Sequence, residues 1–542
     1  MNRSIPVACY VVGFLLVACG LFLRFHNLNR KFFWEDEAWT RVLIAGYVSA
    51  EIRADILSRP ELRVRDLHRF QHASPARGLL HVLIAAAADP KHPPLYPVML
   101  WSWTQLLGDS DCQARLFSAL ISVLAFPCLY WLCRELFGDR AVALTAVALL
   151  SVSPLHVLYA QEARSYALLV VVILASSAAF LRALRIASRS AWFGYTLSVA
   201  VGLYLHMLFI FVVVGHGVYL LASGRGPSLA AFAKAAALGL LPFVPWMVPI
   251  VVAFPVIQGN MGWVSAPAPG GMLVAQFLSE LSSVFVDTYG FTAEGAATPA
   301  VVTTIHVVIA WLVCYSLYDL RRTRRTTAWP FIVSVGGVSL LAMVLPDLVA
   351  GGQRSAVARF LFPFYLMVEL SAAHLLGRKI VSARIGERRT YRAMLGILLL
   401  GGLVTCALAG EADYWWNKGN PHLPRIARIV SATPHAVLVS DVSGANLGKL
   451  LALSHALPDD ISLRLSADAQ AAEHVARIPA FLKRFLALPP TAGARAPAIG
   501  DGQDAFFLMD YSQQLLARLT SSGFIVAETY IPDRLWYLRR AQ

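Results

Sequence analysis

The chain has 542 residues, of which 57% are hydrophobic and only 14% charged, with a formal charge of +14. A soluble protein of this size carries about 25% charged residues, so the deficit marks a polytopic membrane protein. The basic residues lie mostly in short loops between apolar runs, and no phosphate-cradling glycine loop or zinc-type spacing occurs, which excludes nucleic acid as the partner.

Apolar windows of about 17–25 residues mark spans. They fall near 5–23, 113–133, 141–159, 164–184, 191–206, 207–222, 229–253, 299–319, 328–346, 357–377 and 391–409, eleven in all. Leu16-Val17-Ala18-Cys19-Gly20 has the form of a lipoprotein cleavage box, but the apolar run continues to Leu23 and reads as an uncleaved first span. Residues 191–222 are too long for one helix across about 30 Å and read as a tight pair turning near Tyr204-Leu205-His206. Six of the seven cysteines (Cys9, Cys19, Cys112, Cys128, Cys133, Cys314 and Cys406) fall inside apolar runs, without the spacing of a disulfide framework or metal site.

Basic loops test the parity. Arg134 and Arg140, then Arg182, Arg185 and Arg189, then Arg225, then Arg321 to Arg325, then Arg378 to Arg389 fall on alternate connections, on the same side as Arg3. The positive-inside rule makes that side cytoplasmic. Pro93 to Leu107, with three prolines and two tryptophans, is too short to span and reads as an interfacial or re-entrant helix.

The outer face then receives a first loop over 24–112, the connection Leu158 to Tyr166, a loop over 254–298 with an amphipathic run from Met272 to Tyr289, and the segment Asp347 to Phe360. From about Glu411 the composition becomes that of a soluble module. Strands are expected over 436–440 and 505–509, helices around 443–456, 468–487 and 511–522, and an edge strand near 524–530. The expected fold is therefore a polytopic α-helical membrane domain over 1–410, which includes the first loop, followed by a small outer α/β domain over 411–542.

Charges from separate stretches converge on that outer face: Asp36 and Glu37 in Trp34-Glu-Asp-Glu-Ala38, Glu162 and Arg164, and Arg359. A carboxylate near membrane depth suits a general base. Arginine suits a phosphate or diphosphate. Together they imply a lipid-phosphate substrate entering from the bilayer. Bland readings stand beside these: Glu162 and Arg164 as a local pair, Arg359 as a snorkelling residue, His92 as a turn residue, and His206 as a satisfied core group. His216 and Glu369 read as structural.

Trp34-Glu-Asp36-Glu37-Ala, His92-Pro-Pro-Leu-Tyr96, Arg134-Glu-Leu-Phe-Gly138, Ser153-Pro-Leu-His156, Gln161-Glu-Ala-Arg164-Ser-Tyr166 and Leu203-Tyr-Leu-His206 form an ordered series. Over about residues 5–410 this series resembles the GT-C superfamily, in the bacterial branch similar to protein O-mannosyltransferases and the lipid A aminoarabinose transferase. The C-terminal module is similar to the variable periplasmic domain of that branch.

The resemblance implies an inverting transferase in a bacterial inner membrane, using a polyprenyl-phosphate sugar donor on the periplasmic face, with a lipid, glycan or protein acceptor. It assigns Asp36 as base, Glu37 as its support, and Arg359 to the lipid phosphate. Arg164, with His92 and Tyr96, falls to the donor side. Glu162, Tyr166 and His206 fall to the acceptor side or behind it. No cofactor is certain. Some relatives hold a divalent metal with such carboxylates, here Asp36, Glu37 and Glu162, and the sequence leaves that metal undecided. Arg359-Phe360 stands where relatives read Arg-Tyr, so one hydroxyl is missing, and Glu35 is expected to face solvent. The rival classes are a lipid-linked sugar flippase, which should show an internal repeat, and a non-catalytic envelope assembly protein.

Overall fold

The apolar windows of the sequence fold as helix, and the one over 141–159 breaks where Pro154 interrupts the backbone ladder. The structure, a computed structural model, describes residues 7–59, 61–293, 297–323, 327–442, 445–466 and 505–540. Two units emerge. The first takes in residues up to Leu28, Pro90–Tyr96 and Arg115–Ala412, and the second Asn29–Asp89, Pro97–Ala114 and the chain from Asp413.

In the first unit the helical segments match the expected windows. Among the described residues, six helices are long and apolar enough to cross a membrane, or seven if the bent pair Arg140–Ser151 and Pro154–Ala160 is one span. Others are shorter, such as Arg189–Leu205 with 17 residues. The Leu95–Leu107 helix has 13 residues, short of a span as expected.

The bend of 58° between Arg140–Ser151 and Pro154–Ala160 has a local cause. Pro154 has no N–H to give Leu150 and cannot continue the ladder. The Arg24 guanidinium takes over, donating to the Leu150 carbonyl at 3.0 Å and the Ser151 carbonyl at 2.7 Å. A freed carbonyl at membrane depth must be satisfied internally, and here a buried arginine from the first helix does so. Small residues let neighbours close on the bend. A Cβ at Gly20 would fall 2.3 Å from the Ser151 oxygen, and one at Gly402 would fall 2.5 Å from the Val152 oxygen. The expected turn at His206 is present, where the imidazole Nδ1 accepts the Leu208 N–H at 3.2 Å.

The second unit is built on a six-stranded sheet ordered β1-β3-β2-β4-β6-β5. The strands are β1 (Leu62–Arg63), β2 (Ala436–Asp441), β3 (Ser462–Ser466), β4 (Ala505–Met509), β5 (Phe524–Ile531) and β6 (Leu535–Arg540). β3, β2 and β4 are parallel, and antiparallel β1 and the β6–β5 ribbon close the two sides. The expected strands at 436–440, 505–509 and 524–530 are present. The helices lie at Asn446–Leu453 and Gln513–Ser521, while the one expected over 468–487 lies outside the described residues. The first loop contributes a strand and core side chains here, although it was expected to belong with the spans. Phe32, Phe33, Trp34, Val42 and Ile52 share one buried cluster with Leu423, Ile426, Leu447 and Leu450. Trp34 is therefore a core residue, and burying such a ring contributes about 2–3 kcal/mol.

Candidate functional site

The acidic stretch opens the Glu35–Ile44 helix, so all three carboxylates occupy its first turn. Negative charge is favoured there by the helix dipole. Their surroundings differ. Glu37 is buried, and its Oε2 lies 2.9 Å from the Lys418 Nζ. Glu35 accepts the Asn420 side-chain N–H at 2.8 Å and is half-buried, which corrects its expected exposure. Gly448 is the reason it packs so closely, since a Cβ there would fall 2.6 Å from the Glu35 Cγ. Asp36 is partly exposed, and its carbonyl takes the Thr40 hydroxyl at 3.0 Å. One turn on, buried Arg41 meets Asp109 at 2.6 Å and anchors the helix within the second unit.

The remaining predicted residues lie in the first unit, where three segments meet. The first is the turn before the Leu95–Leu107 helix. His92 there is pushed well below the usual imidazole range by burial, then by the charges of Arg164, Lys91, His206 and Arg359. A neutral His92 can accept a hydrogen bond among these cations. The Tyr96 hydroxyl meets the Ser118 Oγ at 2.8 Å, and Ser118 in turn donates to the Arg164 carbonyl at 3.4 Å, so Tyr96 braces the turn.

The second segment is the elbow between Pro154–Ala160 and Tyr166–Ile186. The Gln161 side chain donates to the carbonyls of Leu23 and His26 at 2.8 and 2.9 Å, tying the elbow to the end of the first helix. Glu162 and Arg164 are both buried, and the Arg164 N–H donates to the Glu162 carbonyl at 2.7 Å. The Arg164 guanidinium sits 5.7 Å from the Tyr166 ring, which in turn packs on Tyr159, His206 and Phe362.

The third is the short turn Ala358–Phe360. The Arg359 guanidinium lies 5.6 Å from the Trp263 ring, within cation–π range. Gln353 holds the two loops together, its N–H donating to the Val264 carbonyl at 2.9 Å and its side chain to the Trp263 carbonyl at 2.8 Å. At Gly352, with φ +133°, a Cβ would fall 2.7 Å from the Val264 oxygen, so only glycine fits this crossing.

The structure thus brings His92, Arg164, Tyr166, His206 and Arg359 into one electrostatic neighbourhood, with Glu162 on the same elbow. Lys91, Trp263, Glu280 and Lys418 were missed. Glu280 had a signal, because it is the only charge in the helix Gly270–Ser283. Lys418 had none, since its partner is 381 positions away. Among the described residues, no group of three or more His, Cys, Asp or Glu side chains is placed to hold a metal ion.

Residues 91–248 match the family described as dolichyl-phosphate-mannose-protein mannosyltransferase. ArnT from Cupriavidus metallidurans, bound to undecaprenyl phosphate, superposes with a TM-score of 0.54 at 16% identity, over 98% of each chain. The same protein in the apo state gives the same TM-score, identity and coverage. No curated protein matches by sequence. These likenesses establish the GT-C fold, in agreement with the motif series.

Proposed function

We propose that this GT-C chain is an inverting glycosyltransferase. It moves a sugar from a polyprenyl-phosphate donor to an acceptor hydroxyl at the outer, periplasmic face of a bacterial inner membrane. The observation that carries the reading is the gathering of Lys91, Arg164 and Arg359 around His92. The mannosyltransferase family match, which spans two of these segments, supports it, as does the fold shared with an ArnT that binds undecaprenyl phosphate.

In the proposed step the acceptor oxygen attacks the anomeric carbon opposite the phosphate. A new C–O bond forms as the sugar–phosphate C–O bond breaks, and its electron pair leaves on the phosphate oxygen. The acceptor proton passes to a carboxylate base, the role that the resemblance of the motif series assigns to Asp36. The departing phosphate gains negative charge, so cations fixed in a site of low dielectric stabilise the transition state more than the ground state. Arg164 and Arg359 supply that field, and His92 orients the phosphate or its water. Glu37, held by Lys418, fixes the turn from which Asp36 projects. Of the three carboxylates the resemblance assigns the base to Asp36, which like Glu35 is partly exposed, while Glu37 is clasped in the interior. No step is routed through a metal.

Asp36→Asn keeps the shape and removes the basic oxygen. It is expected to abolish transfer in a protein that still folds and inserts. Full activity in that variant rules out Asp36 as the base.

A further inference from the structure

Glu280 is 2% exposed and has no part in the step above. Its carboxyl accepts the Tyr365 hydroxyl at 3.0 Å, the Gln276 side-chain N–H at 3.1 Å and the Ala358 backbone N–H. Ala358 opens the turn that carries Arg359, whose charge also acts on Glu280. One buried carboxyl therefore anchors the backbone of the arginine turn and shares its positive charge.

We propose that Glu280 is a positioning residue for donor capture. It holds the Ala358–Phe360 turn so that Arg359 meets the lipid phosphate, and capture of the phosphate takes up a proton at Glu280. The inference rests on the lipid-phosphate reading of Arg359. The physical reason is competition for one cation. An ionised Glu280 and a phosphate both draw on Arg359, and two anions about one guanidinium disfavour each other. A neutral Glu280 still accepts its three hydrogen bonds but no longer competes.

Burial pushes the carboxyl up to about 7, against the lowering effect of its hydrogen bonds and Arg359, so both forms are accessible near neutrality. Phosphate binding raises the value further. The sign follows: capture is strongest below about pH 7 and weakens as pH rises through that value. Tyr365 and Tyr159 are the other titratable groups facing Glu280. On the other elements packed against its helix, Arg354 is engaged by Asp347, His156 by Glu369 and His306 by Thr288. His92, held well below its usual range, stays neutral through the window.

The test is binding of undecaprenyl methyl phosphate to the full-length protein in nanodiscs between pH 6 and 8. This diester keeps a single charge, so its own titration does not intrude. One linked proton changes affinity by up to about tenfold per pH unit. The parent is expected to weaken about fivefold to tenfold over the range. Glu280→Gln, which keeps an acceptor oxygen but cannot ionise, should vary less than about twofold and bind more tightly than the parent at pH 8. Glu280→Ala, which lets the turn go, should bind more weakly throughout. A flat parent profile, or a slope retained in Glu280→Gln, overturns the proton linkage at Glu280, and parental binding in Glu280→Ala overturns its positioning role. Arg359→Ala separates the two claims. If it binds as the parent does, the lipid-phosphate reading itself fails. If it loses binding while the parent profile is flat, only the proton linkage fails.

Discussion

Replacing Lys418 by methionine tests how the acidic turn is held. The Nζ lies 2.9 Å from the Glu37 carboxylate, with 1% and 0% of the two side chains exposed. An exposed pair of this kind would contribute less than about 1 kcal/mol. Here neither partner has access to water, and removing one takes a close counter-charge from the buried other, at a cost of about 3–5 kcal/mol. At about 4 kcal/mol the open population of the second unit rises roughly a thousandfold. Native-state proteolysis of the full-length protein reads that population directly when opening is fast relative to cleavage. Lys418→Met should be cut much faster within the second unit, while the double variant Glu37→Met with Lys418→Met should recover most of the resistance. Swapping a buried pair for apolar side chains of similar size is often neutral or better. Parental resistance in Lys418→Met, or a double variant as labile as the single one, refutes the idea that this ion pair fixes the turn.

Two further outcomes are expected. Arg359→Ala should raise the apparent KM for the lipid donor by about tenfold to a hundredfold, the loss of one charge-assisted contact worth about 1.5–3 kcal/mol, and an unchanged donor KM contradicts its role. The second unit should lose stability in acid through Asp109 and Asp510. Burial alone would raise both carboxyls, but His72 and Arg41 bring Asp109 down to about 2, and His422, Lys449 and Arg534 do the same for Asp510. Both values lie below the unfolded value of about 3.9, so the stabilisation is complete above that pH and disappears as pH falls through about 2. Asp109→Asn and Asp510→Asn should flatten the acid limb of an unfolding titration followed by tryptophan fluorescence, and an unaltered limb counts against these pairings.

The helical part of the fold was legible because a bilayer imposes length and apolarity on each segment. The bend before His156 was not read, although Pro154 stands at it. The first-unit cluster was legible for a related reason. Parity alone puts His92, Glu162, Arg164 and Arg359 on one face, and charges are rare enough in this chain to stand out. Partnerships across long sequence separations left no local trace. Lys418 sits in Trp415-Trp-Asn-Lys418, a stretch with no periodicity, and only folding brings it to Glu37. Glu35 was misjudged because the close approach of Gly448 cannot be read from either segment alone. The first loop gave no sign of joining the C-terminal sheet, since β1 is two residues long and pairs with β3, a strand whose alternating Ser-Leu-Arg-Leu-Ser reads weakly. Glu280 was in view and passed over because an amphipathic helix is expected to carry an acid. What distinguishes it is burial, which depends on Tyr365 and the turn at Ala358.

The central claim is transfer from a lipid-phosphate sugar, and the direct measurement is product formation. Purified protein would be incubated with a panel of polyprenyl-phosphate sugars and candidate acceptors from the cell envelope, with the products followed by mass spectrometry. The account predicts that at least one donor yields free polyprenyl phosphate and a glycosylated acceptor of inverted anomeric configuration, and that Asp36→Asn yields neither. Binding without turnover across the panel, or transfer that persists in Asp36→Asn, would contradict it.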